Sequence, residues 1–308
     1  MQETKTVAVV IPTLNAGQQL PTILDSVKRQ GLQPLEVFVL DSESEDDTRA
    51  IGQRYGASVM SIARRDFDHG GTRNVGLNAT RADIAVYTVQ DAVPSDDNWL
   101  TNLCRPIMTD AKVGVVTGRQ IPRVDATELE KATRLLTYPV EGYRRDVTDL
   151  ERIGLRAAFC TDTNAAYRVS ALRQVGGFPA PCIVHEDMAA AVRLMRGGYV
   201  LVYEPRAAIV HSHSYGLREQ FQRYFDMGVF FAGDELRGMG RPTRNAIWYM
   251  RRHLIAIVNQ GGPRLLGPWF IDTLARAIGV FVGGNYKMIP ARLRRYLSRQ
   301  KSYWSRLS

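Results

Sequence analysis

The amino-acid sequence predicts an α/β protein with a doubly wound, mostly parallel sheet followed by a C-terminal helical extension. Three observations carry this expectation. Strand-length apolar runs alternate with helical segments over the first 120 residues. Only helix-like sequence follows Gly216. The chain has 308 residues, 45% hydrophobic and 23% charged, enough for a large buried core.

Residues 6–11 (TVAVVI) form a continuous apolar run, as a central parallel strand buried on both faces requires. A helix is predicted over 18–30, with Pro21 tolerated in its first turn. Residues 35–40 (LEVFVL) form a second strand that ends at Asp41. The helix over 46–55 opens with acidic residues that suit its N-terminal dipole. Strands over 57–62 and 84–89 enclose a helix over 72–80, completing a βαβαβ pattern whose ligand site lies at the carboxyl ends of the strands. No G-x-G-x-x-G follows a strand and no G-x-x-x-x-G-K-[ST] occurs, which removes the main support for dehydrogenase and P-loop readings.

Residues 119–155 are irregular and charge-rich, and are read as an insertion or flexible loop region near a binding face. Order is expected again over 166–175, at the turn Gly176-Gly177-Phe178, in a helix over 186–196, and in paired strands 199–204 and 207–211. The later helices break at 238–242, 261–268 and 283–290. The division expected is a catalytic domain over 1–216 and a basic extension over 217–308.

No run of 18 apolar residues occurs, and the most apolar late stretch, 269–282, contains Asp272 and Arg276, so it is not expected to span a bilayer. The first residues carry no secretory pattern. Cys104, Cys160 and Cys182 are too few and too scattered for a disulfide framework or zinc pattern. A reduced cytoplasmic protein is expected. Charge is uneven. Residues 217–308 hold 16 Lys and Arg against 5 Asp and Glu, net +11, while residues 1–216 hold 24 against 26, net −2. Trp248, Trp269, Tyr286, Tyr296 and Trp304 lie among basic pairs such as Arg251-Arg252 and Arg294-Arg295. Such helices suit an anionic membrane surface, which predicts a peripheral location on the inner face of the cell membrane. Nucleic acid is not expected, because no recognised binding module is present. The plainer alternative is a solvated helical face packed on the catalytic domain.

Four polar clusters stand where an α/β sheet presents its site: Pro12-Thr13-Leu14-Asn15, Asp41-Ser42-Glu43-Ser44, His69-Gly70-Gly71-Thr72-Arg73-Asn74 and Gln90-Asp91-Ala92. Each alone reads equally as an ordinary polar loop, but four in succession point to a site.

The first, second and fourth of these clusters, together with Asp46 and His185-Glu186-Asp187, resemble in order the signatures of family 2 glycosyltransferases with the GT-A fold. Phe67-x-His69 through Asn74, residues 207–213 (AAIVHSH) and 284–298 (GNYKMIPARLRRYLS) resemble bacterial rhamnosyltransferases. The resemblance spans residues 6 to about 304. It implies inverting sugar transfer from a nucleotide diphosphate-sugar, dTDP-β-L-rhamnose, to a hydroxyl of a bacterial surface glycan or lipid-linked acceptor.

Asp41 is placed to accept hydrogen bonds from a base or ribose, and the resemblance implies the same with Pro12, Thr13, Asn15 and Ser42 beside it. The alternative is an Asp that caps the next helix. Glu43 and Asp47 stand where many relatives have glycine. Asp91, flanked by Gln90, occupies the position of the family's metal-binding Asp-x-Asp with a single carboxylate, which still suits Mg²⁺. His211 and His213 lie on one face of an extended segment, and an imidazole ligand tilts the metal toward Mn²⁺. Arg65, His69, Gly70, Arg73 and Asn74 are donor-contact candidates, since Arg binds phosphate oxygens in pairs. On spacing alone Glu186-Asp187 would merely favour a helix start. The resemblance makes Asp187 the catalytic base, with Glu186 orienting groups beside it.

Two rival classes remain. A sugar-nucleotide nucleotidyltransferase would need a Gly- and Lys-rich loop after the first strand, which Pro12-Thr13-Leu14-Asn15 is not. A non-catalytic membrane- or nucleic-acid-binding protein on a transferase fold would fit the lone Asp91 but not the intact Glu186-Asp187.

Overall fold

The computed structural model describes residues 5–233, 250–258 and 262–306. The break expected over 238–242 and the aromatic Trp248 lie outside the described residues. Among these, nine strands form one sheet: β1 (Val7–Thr13), β2 (Glu36–Asp41), β3 (Ser58–Ser61), β4 (Ile84–Thr88), β5 (Val93–Pro94), β6 (Val113–Ile121), β7 (Tyr143–Arg145), β8 (Asn164–Arg168) and β9 (Val200–Val210). Their order is β3-β2-β1-β4-β8-β6-β9-β5, with β7 beside β9. The helices are α1 (Leu20–Lys28), α2 (Thr48–Arg54), α3 (His69–Ala79), α4 (Trp99–Thr109), α5 (Glu128–Thr137), α6 (Val147–Ile153), α7 (Val169–Gln174), α8 (Glu186–Arg196), α9 (Leu217–Phe231), α10 (Leu266–Gly284), α11 (Ala291–Leu297) and α12 (Lys301–Arg306). Residues 250–258 are also helical.

The period-two geometry of β1 divides the core. Val7, Val9 and Ile11 face α1 and α4, where Ile23, Trp99 and Leu103 complete one apolar cluster. Ala8 and Val10 face the other side, with Tyr87, Tyr167, Phe178 and the Ala189–Ala190–Ala191 run of α8. That second cluster also includes Phe225 and Phe230 of α9 and Trp304 of α12. The basic extension thus shares its core with the sheet.

Strands β3, β2, β1 and β4 are mutually parallel, whereas β8 runs antiparallel to both β4 and β6. Strand β6 therefore points the same way as β4, and β9 is parallel to β6. The carboxyl ends of β1, β2, β4, β6 and β9, and the start of β8, meet along one edge. The strand order reverses between β1 and β4, the crevice position for a ligand in such sheets.

Two expectations are corrected. Residues 199–211 are not a hairpin but one strand, β9, that stays parallel to β6 on both sides of a register shift between Gly118 and Arg119. Three residues, Pro205-Arg206-Ala207, are looped out between Glu204 and Ala208, and a turn-like dipeptide marks a bulge instead of a reversal. Residues 119–155 are not a flexible insertion either. They hold the end of β6, α5, β7 and α6, and the charges that made the stretch look irregular sit in caps and ion pairs such as Arg134–Glu130 (2.7 Å) and the Asp146–Asp149 capping box.

Residues Pro263–Gly284, 22 in all at mean hydropathy 1.4, are long and apolar enough to cross a membrane by length and composition. Asp272 and Arg276, the charges that argued against a span, pair at 2.7 Å on the face of α10 turned toward the protein. All three cysteines are buried and unbridged, as expected.

Candidate active site

The loops after β1 and β2 are zipped together. Asn15 N–H donates to Ser44 Oγ (2.8 Å), Ala16 N–H to Thr48 Oγ1 (2.7 Å), Gly17 N–H to Asp46 (2.8 Å), and Glu45 N–H to Asn15 Oδ1 (2.9 Å). Ser42 N–H extends the parallel ladder to Thr13 O, and Gln90 brackets Leu14 through both its amide atoms. Asp41 is fully buried. Its Oδ2 accepts from Ser44 N–H (3.1 Å), while Oδ1 is buried and has no partner among the described residues. A buried carboxylate oxygen without a donor is costly, and it suits a ligand N–H or hydroxyl. Asp41 does not cap α2. The positive φ of Glu43 (55°) accounts for the glycine of relatives at that position, whereas Asp47, at φ −72°, needs none; Glu43 is held in place by Arg64 N–H on its carboxylate (3.0 Å).

Asp91, His211 and His213 meet beyond β4 and β9, with ligand atoms all within 4.8 Å of one another. Asp91 lies 3.6 Å from His211 Nε2 and 3.2 Å from His213 Nε2, and the two Nε2 atoms are 3.1 Å apart. Arg134, which can only donate, hydrogen-bonds Gln120 Oε1 and so fixes that amide's orientation. The Oε1 atom then accepts from His211 Nδ1 at 3.0 Å, so Nδ1 carries the proton and Nε2 presents its lone pair to the cluster. Burial, reinforced by the Arg134 cation, holds the His211 imidazole down at about 3, neutral at physiological pH. One carboxylate and two imidazoles converging in this way fit a divalent cation.

A second acidic group, Asp162, Glu186 and Asp187, lies at the start of α8. Arg73 of α3 already supplies its cation, with Nε 2.7 Å from Asp162 and Nη1 3.0 Å from Glu186, and it is only 7% exposed. Arg73 therefore holds carboxylates in place, and its expected role as a donor-phosphate contact is corrected. Asp187 accepts from Met188 N–H (2.7 Å) and from Asp162 N–H (3.1 Å), which aims its side chain between β8 and α8. Burial, then the like charges of Glu186 and Asp162, push Asp187 well above the usual carboxylate range. Burial also lifts Asp162, to about 7, against the pull of Arg73. Glu186 moves the other way. Burial opposes its charge, but Arg73 and His69 hold it below its ordinary value. Environments that push neighbouring carboxylates apart are how proton-transfer roles become assigned. The preceding residue, His185, has φ 61°, a strained backbone that presents the first turn of α8.

The remaining candidates separate. Asn74 is structural, its amide bonding both N–H and C=O of Phe178. A Cβ at Gly70 would lie 1.8 Å from Pro179 O, so this glycine serves close packing. Arg65 projects into solvent, its side chain 88% exposed beside Asp66 at 3.8 Å, and joins none of the other candidates. His69 lies within electrostatic reach of Glu186. Sequence reasoning missed Asp162, Gln120 and Arg134. The polar run Thr161-Asp162-Thr163-Asn164 between two alanine-rich segments was the one available signal for Asp162. Gln120 Nε2 reaches Thr161 at 3.5 Å, so a thin polar thread joins the histidine cluster to the Asp162–Asp187 pair. A cleft of about 530 Å³ opens beside Asp91, lined by Val93, Arg123, Val124, Asp125 and Val210.

Comparison with known proteins identifies the family and the fold. The profile described as "Glycosyl transferase family 2" matches residues 8–176. The O-antigen chain rhamnosyltransferase RfbN of Salmonella typhimurium is 33% identical over 305 residues, covering 98% of this chain and 96% of its own. WbaN of Salmonella anatum, also an O-antigen chain rhamnosyltransferase, is 33% identical over 303 residues, covering 97% and 96%. Among solved structures, the mannosyltransferase PcManGT of Pyrobaculum calidifontis, in complex with GDP-Man and Mn²⁺, superposes with a TM-score of 0.57 at 18% identity, over 98% of this chain and 86% of its own. S. aureus TarS 1–349 with UDP-GlcNAc gives 0.57 at 17%, over 97% and 88%. At such identities the two structures speak for the fold, and the profile and the Salmonella relatives for the family. This chain belongs to glycosyltransferase family 2, as a rhamnosyltransferase-like glycosyltransferase built on the GT-A fold.

Proposed function

We propose that the chain transfers L-rhamnose from dTDP-β-L-rhamnose, with inversion, to a hydroxyl of a growing bacterial surface glycan or lipid-linked acceptor, giving an α-L-rhamnoside. The near full-length identity to two O-antigen rhamnosyltransferases supports the sugar and the pathway class. The observation that carries the chemistry is Asp187, half-buried at the start of α8 between Arg73-bound Glu186 and Asp162. As the acceptor oxygen attacks the anomeric carbon, its proton passes to the Asp187 carboxylate and the nucleoside diphosphate departs from the opposite face. Burial raises the basicity of Asp187, and Arg73 keeps the neighbouring carboxylates from turning away. Asp41 Oδ1, buried and lacking a donor, accepts from the thymine or ribose of the nucleotide.

Asp91, His211 and His213 would hold a divalent cation, which would supply charge neutralisation to the diphosphate. The imidazoles favour Mn²⁺ over Mg²⁺. The protein works in the cytoplasm, peripheral to the inner face of the membrane where lipid-linked acceptors reside.

The test is calorimetry of the full chain with UDP-, GDP- and dTDP-sugars, with Mn²⁺ or Mg²⁺, followed by NMR of the product. Metal-dependent preference for dTDP-rhamnose and an α-linkage are expected. Preference for another nucleotide overturns the donor, and retained configuration overturns the single-base scheme.

A further inference from the structure

Helix α10 is built inside out. Its stripe Asp272, Arg276, Gly279 and Gly283 recurs at i+4, i+3 and i+4, so these residues share one face. Asp272, Gly279 and Gly283 are buried, and the Asp272–Arg276 pair (2.7 Å) is enclosed on that same side. A Cβ at Gly279 would lie 2.6 Å from Phe221 O, one at Gly283 2.0 Å from Phe225 O, and one at Gly228 of α9 2.4 Å from Val280 O. The backbones of α9 and α10 therefore touch, and α10 cannot roll about its axis without a clash. The opposite face is apolar and exposed: Phe270 (61%), Ile271 (51%), Leu274 (48%), Ile278 (45%) and Phe281 (73%). A water-facing helix has the reverse polarity. A fixed outward stripe of this size needs a cover.

Charge identifies the cover. Arg251, Arg252 and Arg264 are exposed before α10, and Lys287, Arg292 and Arg295 after it. From Gly262 to Arg306 the chain holds 9 Lys and Arg and a single acid, the internally paired Asp272. A second copy docking through the same face would set one basic rim against another, and like charges across an interface oppose association. Anionic lipid satisfies both features, because acyl chains receive the phenylalanines and headgroups receive the arginines. The protein-facing side of α10 is bonded to α9, so the helix does not cross the bilayer as a separate span. With 19 residues at about 1.5 Å each it is about 28 Å long and lies in the plane of the surface.

We propose that the Phe270–Leu274–Ile278–Phe281 face of α10 is an interfacial membrane-docking surface for anionic lipid. This rests on the peripheral location proposed above and assigns it to one helix face. The expectation from sequence alone was a set of basic amphipathic helices with aromatic anchors, without a particular docking face.

The experiment is flotation of the full chain with vesicles of phosphatidylglycerol and phosphatidylcholine in equal parts, and with phosphatidylcholine alone. The wild type should float with the anionic vesicles, and Phe270→Glu/Phe281→Glu should lower its affinity by about tenfold or more. Phe281→Ser, at the most exposed position of the face, should lower it partially with the fold intact by circular dichroism, which covers the case in which the double variant does not fold. Donor binding by calorimetry should be unchanged in Phe281→Ser. If Phe270→Glu/Phe281→Glu binds like the wild type while Arg292→Glu/Arg295→Glu does not, α10 is not the docking face and the peripheral location stands. A wild type that ignores both vesicles and forms dimers that Phe281→Ser dissolves would make the face a self-interface and overturn the proposal. Vesicle binding without any nucleotide-sugar binding would overturn the proposed reaction and leave this inference standing.

Discussion

Asp187→Asn isolates proton transfer from architecture, because the geometry limits what else the change can do. The carboxylate accepts two backbone bonds, from Met188 N–H at 2.7 Å and Asp162 N–H at 3.1 Å. An asparagine carbonyl can keep the shorter bond, but its amide nitrogen then faces the Asp162 N–H. One hydrogen bond worth about 0.5–1.5 kcal/mol is lost. Removing a negative charge from three carboxylates served by one arginine works in the opposite direction, so overall stability should change little. The rate should not be spared. Loss of a general base costs about 10²–10⁴-fold, or about 2.7–5.4 kcal/mol of barrier. The assay is kcat for rhamnosyl transfer alongside donor titration by calorimetry, where kcat should collapse and donor affinity hold. The pH profile gives an independent reading. Burial and its acidic neighbours raise Asp187, so wild-type kcat/KM should climb as pH rises through that elevated value, and the residual rate of Asp187→Asn should lack this acidic limb. Glu186→Gln should lose far less, since its amide oxygen can still accept from Arg73. Near-normal turnover by Asp187→Asn, or an unchanged acidic limb, would refute the assignment and move the base elsewhere.

Asp91→Ala should lower Mn²⁺ affinity by more than about 100-fold in calorimetry and remove the response of turnover to EDTA, with His211→Ala and His213→Ala following in the same direction. Gln120→Leu, which releases the His211 tautomer without touching a ligand atom, should cost about 10–100-fold in the same titration. Acid stability should depend on His253, whose Nε2–H donates to Thr133 and whose Nδ1 accepts from Trp269 at 3.2 Å. Burial lowers this group to about 4 from the ordinary 6.5. The unfolded chain therefore takes up the proton first, and stability is lost as pH falls from about 6.5 toward 4, by up to about 1.4 kcal/mol per pH unit. Denaturant midpoints at pH 7 and pH 5 should differ less in His253→Asn than in the wild type.

The polar strand ends were legible because a parallel strand buried on both faces leaves its chemistry nowhere to sit but at its carboxyl end. Thr13, Asp41 and Asp91 announced themselves in that way, and His211 and His213 by their spacing. Asp162 did not, since it precedes an antiparallel strand and acquires its role from Arg73, 89 positions earlier in the chain. Helix α5 hid behind its charges. Leu129, Ala132 and Leu136 recur at i, i+3 and i+7, but only Ala132 is fully buried, and Glu130, Lys131 and Arg134 crowd the short stripe between them. The long strand β9 was divided in two because Pro205-Arg206 looks like a turn, and only the pairing with β6 shows that the strand resumes in the same direction. For α10 the amphipathic period is readable, but a period does not say which side faces the protein. The glycines against α9 decide that.

The two carboxylate oxygens of Asp68 join distant parts of the chain. Oδ1 caps α3 through Gly71 N–H at 2.8 Å, and Oδ2 receives Cys182 N–H at 2.9 Å and Arg306 Nη2 at 2.7 Å. The last of these contacts spans 238 residues. At ~5–20 residues per second, a ribosome that has made Asp68 needs roughly 12–50 s more before Arg306 exists. In the last part of that interval, once Phe225 and Tyr286 are made, the place where Trp304 will settle against them is still uncovered. Chaperones and proteases can therefore still reach that place after the sheet is made, until the helix that covers it has followed.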